Sequence, residues 1–287
     1  MIKPKWVNNN EYPFETKEFR LIEGFNLNFI DEGKGETILF VHGTPDWSYS
    51  YRNLIKELSI SKRCIAIDNL GFGLSDKPTN VNYSIQEQSK RLEEFIINMK
   101  LNKITLICHD FGGPIAFGVA VRNPEIFDNI IIMNSWMWDL RKDSNFAKTK
   151  ILHSKFGEFL YINYGLSAKF MVKSSYYNKS NLSKENYKMI LKPFEFKRDR
   201  VSTFKYAKEL LDSGDFTNNI YNQSKVLVNK NIKIIWGMND PYFKPYMLDK
   251  FKYIFPNAKV IIVEKCGHFV CEEQNNLVLN EINSLFN

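Results

Sequence analysis

Apolar and polar residues follow one another in short blocks along this 287-residue chain, and the spacing within the blocks changes as secondary structure should change. Six runs are apolar almost throughout, as expected of strands covered on both faces: 37–41, 64–67, 104–108, 130–133, 232–236 and 260–263. Helix-period patterns separate or follow most of them, at 54–58, 85–99, 114–121, 245–255 and 270–286. Near the start, 19–22 and 25–30 flank Glu23-Gly24, and the second alternates apolar with polar, which predicts an antiparallel hairpin. Strands alternating with helices predict a mostly parallel, doubly wound sheet flanked by helices. From Ser135 to about Val228 that rhythm stops. The stretch is rich in Lys, Asn and aromatics (Tyr161, Tyr164, Phe170, Tyr176, Tyr177, Tyr187, Phe204) and shows helical spacing only. It predicts a helical cap, residues 135–228, inserted into a core of 1–134 and 229–287 and lying over the carboxyl ends of the strands. Aromatics at helical spacing serve packing more often than substrate binding, so none of them is by itself a site.

Composition is ordinary for a globular chain, with 44% hydrophobic and 25% charged residues. No apolar run approaches the roughly 20 residues of a membrane-spanning helix, and the polar start lacks the apolar segment of a secretion signal. The expectation is a cytoplasmic protein with no membrane partner. Net charge is +7, but the basic residues are mostly Lys, interleaved with Asn and acids, which argues against nucleic acid as a partner. Cys64, Cys108, Cys266 and Cys271 have no zinc-type spacing, and Cys64 and Cys108 fall in expected core strands, so buried reduced thiols are expected and metal is not.

Four turns carry candidate chemistry. Asp110 stands in Cys108-His109-Asp110-Phe111-Gly112-Gly113, between an apolar strand and a helix, in the small-x-nucleophile-x-Gly pattern of a nucleophile elbow. A carboxylate there suits displacement at saturated carbon, leaving an ester on the enzyme; the plainer alternative is an acid capping the next helix. After the 37–41 strand, His42-Gly43-Thr44-Pro45 can aim the amide of Thr44 at the site, where with the amide of Phe111 it would form an oxyanion hole. Asp240, in Gly237-Met238-Asn239-Asp240-Pro241, follows another strand and can orient an imidazole. His268, in Gly267-His268-Phe269, completes the order nucleophile, acid, base. Such a set needs no cofactor.

These segments, with Asp68-Asn69-Leu70-Gly71-Phe72-Gly73-Leu74-Ser75-Asp76, resemble the haloalkane dehalogenase branch of the α/β-hydrolases, with epoxide hydrolases as relatives. The resemblance covers both core portions and is vague in the cap. It implies an α/β-hydrolase fold, Asp110 as nucleophile, His268 as base, and an acid after the strand before or after the cap. The earlier position falls near Asn134, so Asp240 takes the role. Dehalogenases usually carry a Trp after the nucleophile to hold the leaving halide. This chain has Phe111 there, and Thr44 where a second donor is usually Asn, which leaves Trp136 and Trp138 at the cap entrance as candidate indole donors. The expected substrate is a small apolar haloalkane, with water as co-substrate. The nearest alternative is an epoxide, whose ring oxygen a pair of cap tyrosines (from Tyr161, Tyr164, Tyr176, Tyr177) would protonate. A ligand-binding, non-catalytic member is the third.

Overall fold

The computed structural model describes residues 3–286. At its centre is one eight-stranded sheet of β1 (Lys17–Arg20), β2 (Asn26–Glu32), β3 (Thr37–Val41), β4 (Arg63–Ile67), β5 (Ile104–Asp110), β6 (Phe127–Ser135), β7 (Asn231–Gly237) and β8 (Lys259–Val263), in the order β1-β2-β4-β3-β5-β6-β7-β8. The strands from β3 to β8 run parallel, while β1 and β2 form the expected hairpin, β2 joining antiparallel to β4. β5 is buried along its whole length, which is why its sequence shows no alternation.

Helices cover both faces. α1 (Arg52–Leu58) packs beside α11 (Asn275–Asn283) on one, and α2 (Ile85–Asn98) beside α3 (Gly112–Arg122) on the other. In α2 the Ser84 hydroxyl caps the Glu87 amide, and Ile85, Leu92, Phe95 and Ile96 form its buried stripe. From β3 the chain passes to β4 on one side and later returns to β5 on the other, so the carboxyl ends of β3 and β5 lie together where the order reverses. Such a reversal opens the crevice in which open α/β sheets bind ligands.

Between β6 and β7 there is no strand, only helices: α4 (Lys155–Tyr164), a π turn (Ser167–Met171), α5 (Val172–Ser175), α6 (Lys184–Leu191), α7 (Val201–Asp212) and α8 (Gly214–Gln223). After β7 come α9 (Pro245–Ile254) and α10 (Val270–Glu273). One expected helix is two: the 270–286 pattern breaks at Gln274, whose backbone is non-helical. The break leaves Glu273 free to accept the amides of Gly267, Tyr177 and Asn178, which ties the His268 turn to the helical insertion. No glycine or proline marks that break, so nothing in the local pattern signals it. All four cysteines are buried. Among the described residues no helix is long and apolar enough to cross a membrane.

The junction of β5 and α3 has no spare room. A Cβ on Gly112 would collide with the Val41 carbonyl, and one on Gly113 with the Ser135 hydroxyl. Gly113→Ala is expected to cost about 3 kcal/mol through this overlap. Thermal unfolding followed by circular dichroism should then move down by roughly 6 °C.

Candidate active site

Asp110 is the last residue of β5 and adopts φ +52°, the left-handed region that costs a residue with a side chain roughly 1–2 kcal/mol. The surroundings hold it there, since α3 begins two residues later against Val41 and the Ser135 hydroxyl donates to the Asp110 carbonyl at 2.7 Å. The turn lifts the side chain out of the sheet. Its Oδ2 accepts the Thr44 amide at 2.8 Å, and the Phe111 amide also bonds to the carboxylate. Both amides expected to form an oxyanion hole therefore touch Asp110 itself. The Thr44 loop is set by His42: the Asn69 amide donates to His42 Nε2, so Nδ1 carries the proton and donates to the Gly43 carbonyl.

His268 is placed by contacts on every side. Its Nδ1 donates to Asp240 Oδ2 at 2.8 Å, and its Nε2 lies 4.0 Å from Asp110 Oδ2. Its amide donates to the Ser175 carbonyl and its own carbonyl accepts His109 Nε2–H, while Tyr242, Phe243 and Phe269 enclose the ring. Asp240 is buried and shared: Oδ1 accepts the amides of Tyr242 and Phe243, and Oδ2 also accepts Asn134 Nδ2 at 2.9 Å. Asn134 in turn exchanges two hydrogen bonds with the Gly237 backbone. Asn134, at the position from which the sequence reading dismissed an acid, thus braces the acid on the next strand.

Burial and charge act in opposite directions on this pair. Burial pushes the Asp110 carboxyl up to about 6 despite the facing imidazole and the two amides. Burial would lower His268, but the charge and hydrogen bond of Asp240, with Asp110 behind them, outweigh it and raise the imidazole to about 9. Were the Asp110 charge neutralised, one of those raising influences would go, the His268 pKa would fall, and more of the imidazole would be free to accept a proton. His109 is held neutral by burial beside His268.

Above these groups lies a cavity of about 180 Å³ enclosed by residues of the sheet end and the helical insertion. Thr44, Asp110, Phe111 and His268 form its floor, and Phe146, Tyr161, Met171, Leu210, Tyr242 and Phe243 are among its walls. The lining is mainly apolar. Thr44 Oγ1 is buried and without a hydrogen-bond partner, a free donor beside the carboxylate. Tyr161 and Tyr242 also reach the cavity, and burial first of all raises both phenols, making them weak acids.

Neither candidate indole lines this cavity, which corrects the expectation that Trp136 or Trp138 faces a leaving group. Trp136 lies behind the wall, edge-on to Phe111 and stacked on Phe243, with Nε1 unpartnered. Trp138 packs on Phe251 beneath Lys250, at a different surface depression. Local sequence placed both at the insertion's entrance but could not say which way the chain turns after β6. Of the four named tyrosines only Tyr161 lines the cavity; Tyr176 is buried against Phe269, and Tyr164 and Tyr177 are exposed. No sequence motif marks Tyr242, and nothing local to Asn134 signals that it holds Asp240. Tyr242 stands two residues past Asp240, and that proximity was the only signal available.

The chain belongs to the α/β-hydrolase fold family, whose model matches residues 36–274. It is 31% identical over 283 residues to a cis-3-alkyl-4-alkyloxetan-2-one decarboxylase of Shewanella oneidensis, across 94% of this chain and 87% of that one. It is 26% identical over 264 residues to haloalkane dehalogenase 2 of Mycobacterium bovis, across 91% of each chain. Among solved structures, haloalkane dehalogenase DbeA from Bradyrhizobium elkani superposes with a TM-score of 0.86 at 20% identity, covering 95% of this chain and 97% of that one. That last likeness is one of fold.

Proposed function

We propose that this chain is an enzyme in which Asp110 attacks a saturated carbon to form an alkyl ester, with His268 and Asp240 as its charge partners and residues 135–228 as the cap of the cavity. We further propose that the substrate is an apolar dialkyl oxetan-2-one, a four-membered lactone, which the enzyme decarboxylates. The observation that carries the choice is the donor set of the cavity. A departing halide in a dry pocket needs strong donors, and no indole N–H lines the cavity. An epoxide leaves as an alkoxide and must be protonated, whereas the Tyr242 hydroxyl already donates to the Met171 carbonyl and Tyr161 is hydrogen-bonded to Ser167. A lactone oxygen leaves as a carboxylate, which needs no proton and can be met by the Thr44 hydroxyl. The 31% identity to an oxetanone decarboxylase supports the same reading.

The steps balance without water or cofactor. Asp110 attacks C4 of the ring as the C4–O bond breaks with inversion, leaving a carboxylate on C3. The C3–carboxylate bond then breaks, its electron pair forms the C3–C4 double bond, and the ester bond to Asp110 breaks as the leaving group. Carbon dioxide and an alkene depart and the Asp110 carboxylate is restored. Inversion followed by anti loss converts a cis lactone to a cis alkene. The His268 cation faces Asp110 throughout and stabilises the carboxylate at both ends of the cycle.

The test is a parallel assay of a cis-3,4-dialkyl oxetan-2-one, a bromoalkane and styrene oxide. Alkene and carbon dioxide from the first, with slow turnover of the others, are expected. Fast bromide release would favour dehalogenation instead, the reading supported by the 26% identity to haloalkane dehalogenase 2 over most of both chains. In that route His268 would activate water against the Asp110 ester, the amides of Thr44 and Phe111 holding the oxyanion.

Either route requires ionised Asp110. With its carboxyl pushed up to about 6, kcat/KM should fall about tenfold per unit below pH 6 and level off above it. A profile still flat at pH 4.5 would show that Asp110 stays ionised there, the facing imidazole and the two amides outweighing burial.

A further inference from the structure

The positive charge of the chain is not shared evenly. Residues 135–228 hold 17 of its 39 Lys and Arg but only 9 of its 32 Asp and Glu, a surplus of eight, while the rest of the chain is at minus one. The surplus belongs to one contiguous segment, the helical insertion. That same part exposes large aromatics. α4 turns Tyr161 inward to the cavity, and on its other side Phe156, Phe159 and Tyr164 are each more than half exposed, Phe159 and Tyr164 touching edge to face.

The surface continues past the end of α4. Arg200 donates to the carbonyls of Ile162 and Asn163 on α4 and to those of Phe194 and Glu195, which brings exposed Phe196 close to the end of that helix. Between them is a groove of about 310 Å³ with Ala168, Leu191 and Phe194 along it and Lys169, Lys188 and Lys192 at its edge. Lys188 is paired with Glu185 and Lys192 with Glu195. Lys155, Lys169 and Lys173 have no carboxylate within ion-pair distance among the described residues, although Lys173 lies over the Tyr187 ring. In the π turn, Ser167 and Met171 line the reaction cavity while Lys169 and Phe170 face out. One thin layer of chain therefore separates this surface from the cavity.

We propose that this face is a docking surface for an anionic lipid bilayer, with the aromatic side chains entering the interface and the lysines meeting lipid phosphates. Exposed Phe among unpaired Lys suits that partner on two counts: burial of aromatic area at the acyl boundary, and attraction between a cationic face and anionic headgroups. A nucleic acid would use the charge but not the phenylalanines, and a second copy of this chain would meet the same excess of positive charge. The absence of a spanning helix has no bearing on such surface attachment. The inference is independent of the reaction assigned to Asp110, and it places the cavity next to the phase in which an apolar substrate would be dissolved.

The whole protein is sedimented with vesicles of phosphatidylcholine alone or with 30% phosphatidylglycerol. Binding to the anionic vesicles is expected, with little to the neutral ones and most of it lost in 0.5 M salt. Lys169→Glu with Lys173→Glu should weaken binding more than about tenfold, and Phe156→Ser with Phe159→Ser comparably. Turnover of a short, water-soluble substrate should stay at the parent rate in both variants, which certifies that they are folded. Equal recovery with neutral and anionic vesicles, or none with either, overturns the proposal. So does a protein that is dimeric in solution and becomes monomeric in the Phe156, Phe159 variant, since the face would then be an interface between copies.

Discussion

Asp110→Asn is expected to lower kcat/KM about 10⁵-fold while leaving the fold intact. The substitution keeps the side chain's size and can still accept the Thr44 amide, but it removes the charge proposed to attack carbon. Its carboxamide nitrogen only donates, so the single remaining oxygen must accept the amides of both Thr44 and Phe111. The measurement is single-turnover kinetics beside a thermal melt. Loss of rate with an unchanged melting temperature is the expected pair of results. Retention of more than about 1% of the rate would mean that the carboxylate only caps α3, the plain reading of an acid at that turn.

His268→Phe separates the two reactions that Asp110 could begin. In a hydrolytic cycle the ester cannot be cleared without a base to activate water. A bromoalkane would then leave a stable adduct on Asp110, visible by mass spectrometry, and turnover would drop about 10⁴-fold. In the lactone cycle no water is deprotonated. The substrate's own carboxylate supplies the electrons that expel Asp110, so alkene should still form, slowed by about 10²-fold through loss of the cation facing Asp110. A trapped adduct from the lactone, with no alkene released, would rule out the fragmentation step. Because Phe is apolar, the variant leaves Asp240 Oδ2 with the Asn134 amide as its remaining partner at that oxygen, so the buried acid is not abandoned altogether.

Much of the core was legible because burial on both faces leaves a plain record. The apolar runs at 37–41, 104–108 and 232–236 correspond to β3, β5 and β7, extended by a few residues where polar groups such as His109 and Asp110 find internal partners. The elbow was legible because its backbone admits so few residues: glycine at 112 and 113, and an acid able to sit at positive φ. The helical insertion was legible only as helical. Its aromatics look alike in sequence, yet Tyr161 faces the cavity, Tyr176 packs against Phe269, and Tyr164 faces out. A spacing of 3.6 residues says that a helix has faces without saying what each face meets.

The sequence by itself determined the sheet, the sharp strand-to-helix turn at Asp110 and the chain order of Asp110, Asp240 and His268, since strand burial and backbone sterics are local constraints that each residue carries with it. Only the tertiary structure decided the donors around the carboxylate. The direction taken by the chain after Ser135 removed both indoles from the cavity wall, while the pairing of β6 with β7 set Asn134 against Asp240 and the turn after β7 brought in Tyr242. The packing of the insertion also brought Lys169, Lys188 and Lys192 to the rim of one groove. These are contacts between distant segments, fixed by how helices settle on the sheet, and no local pattern encodes them.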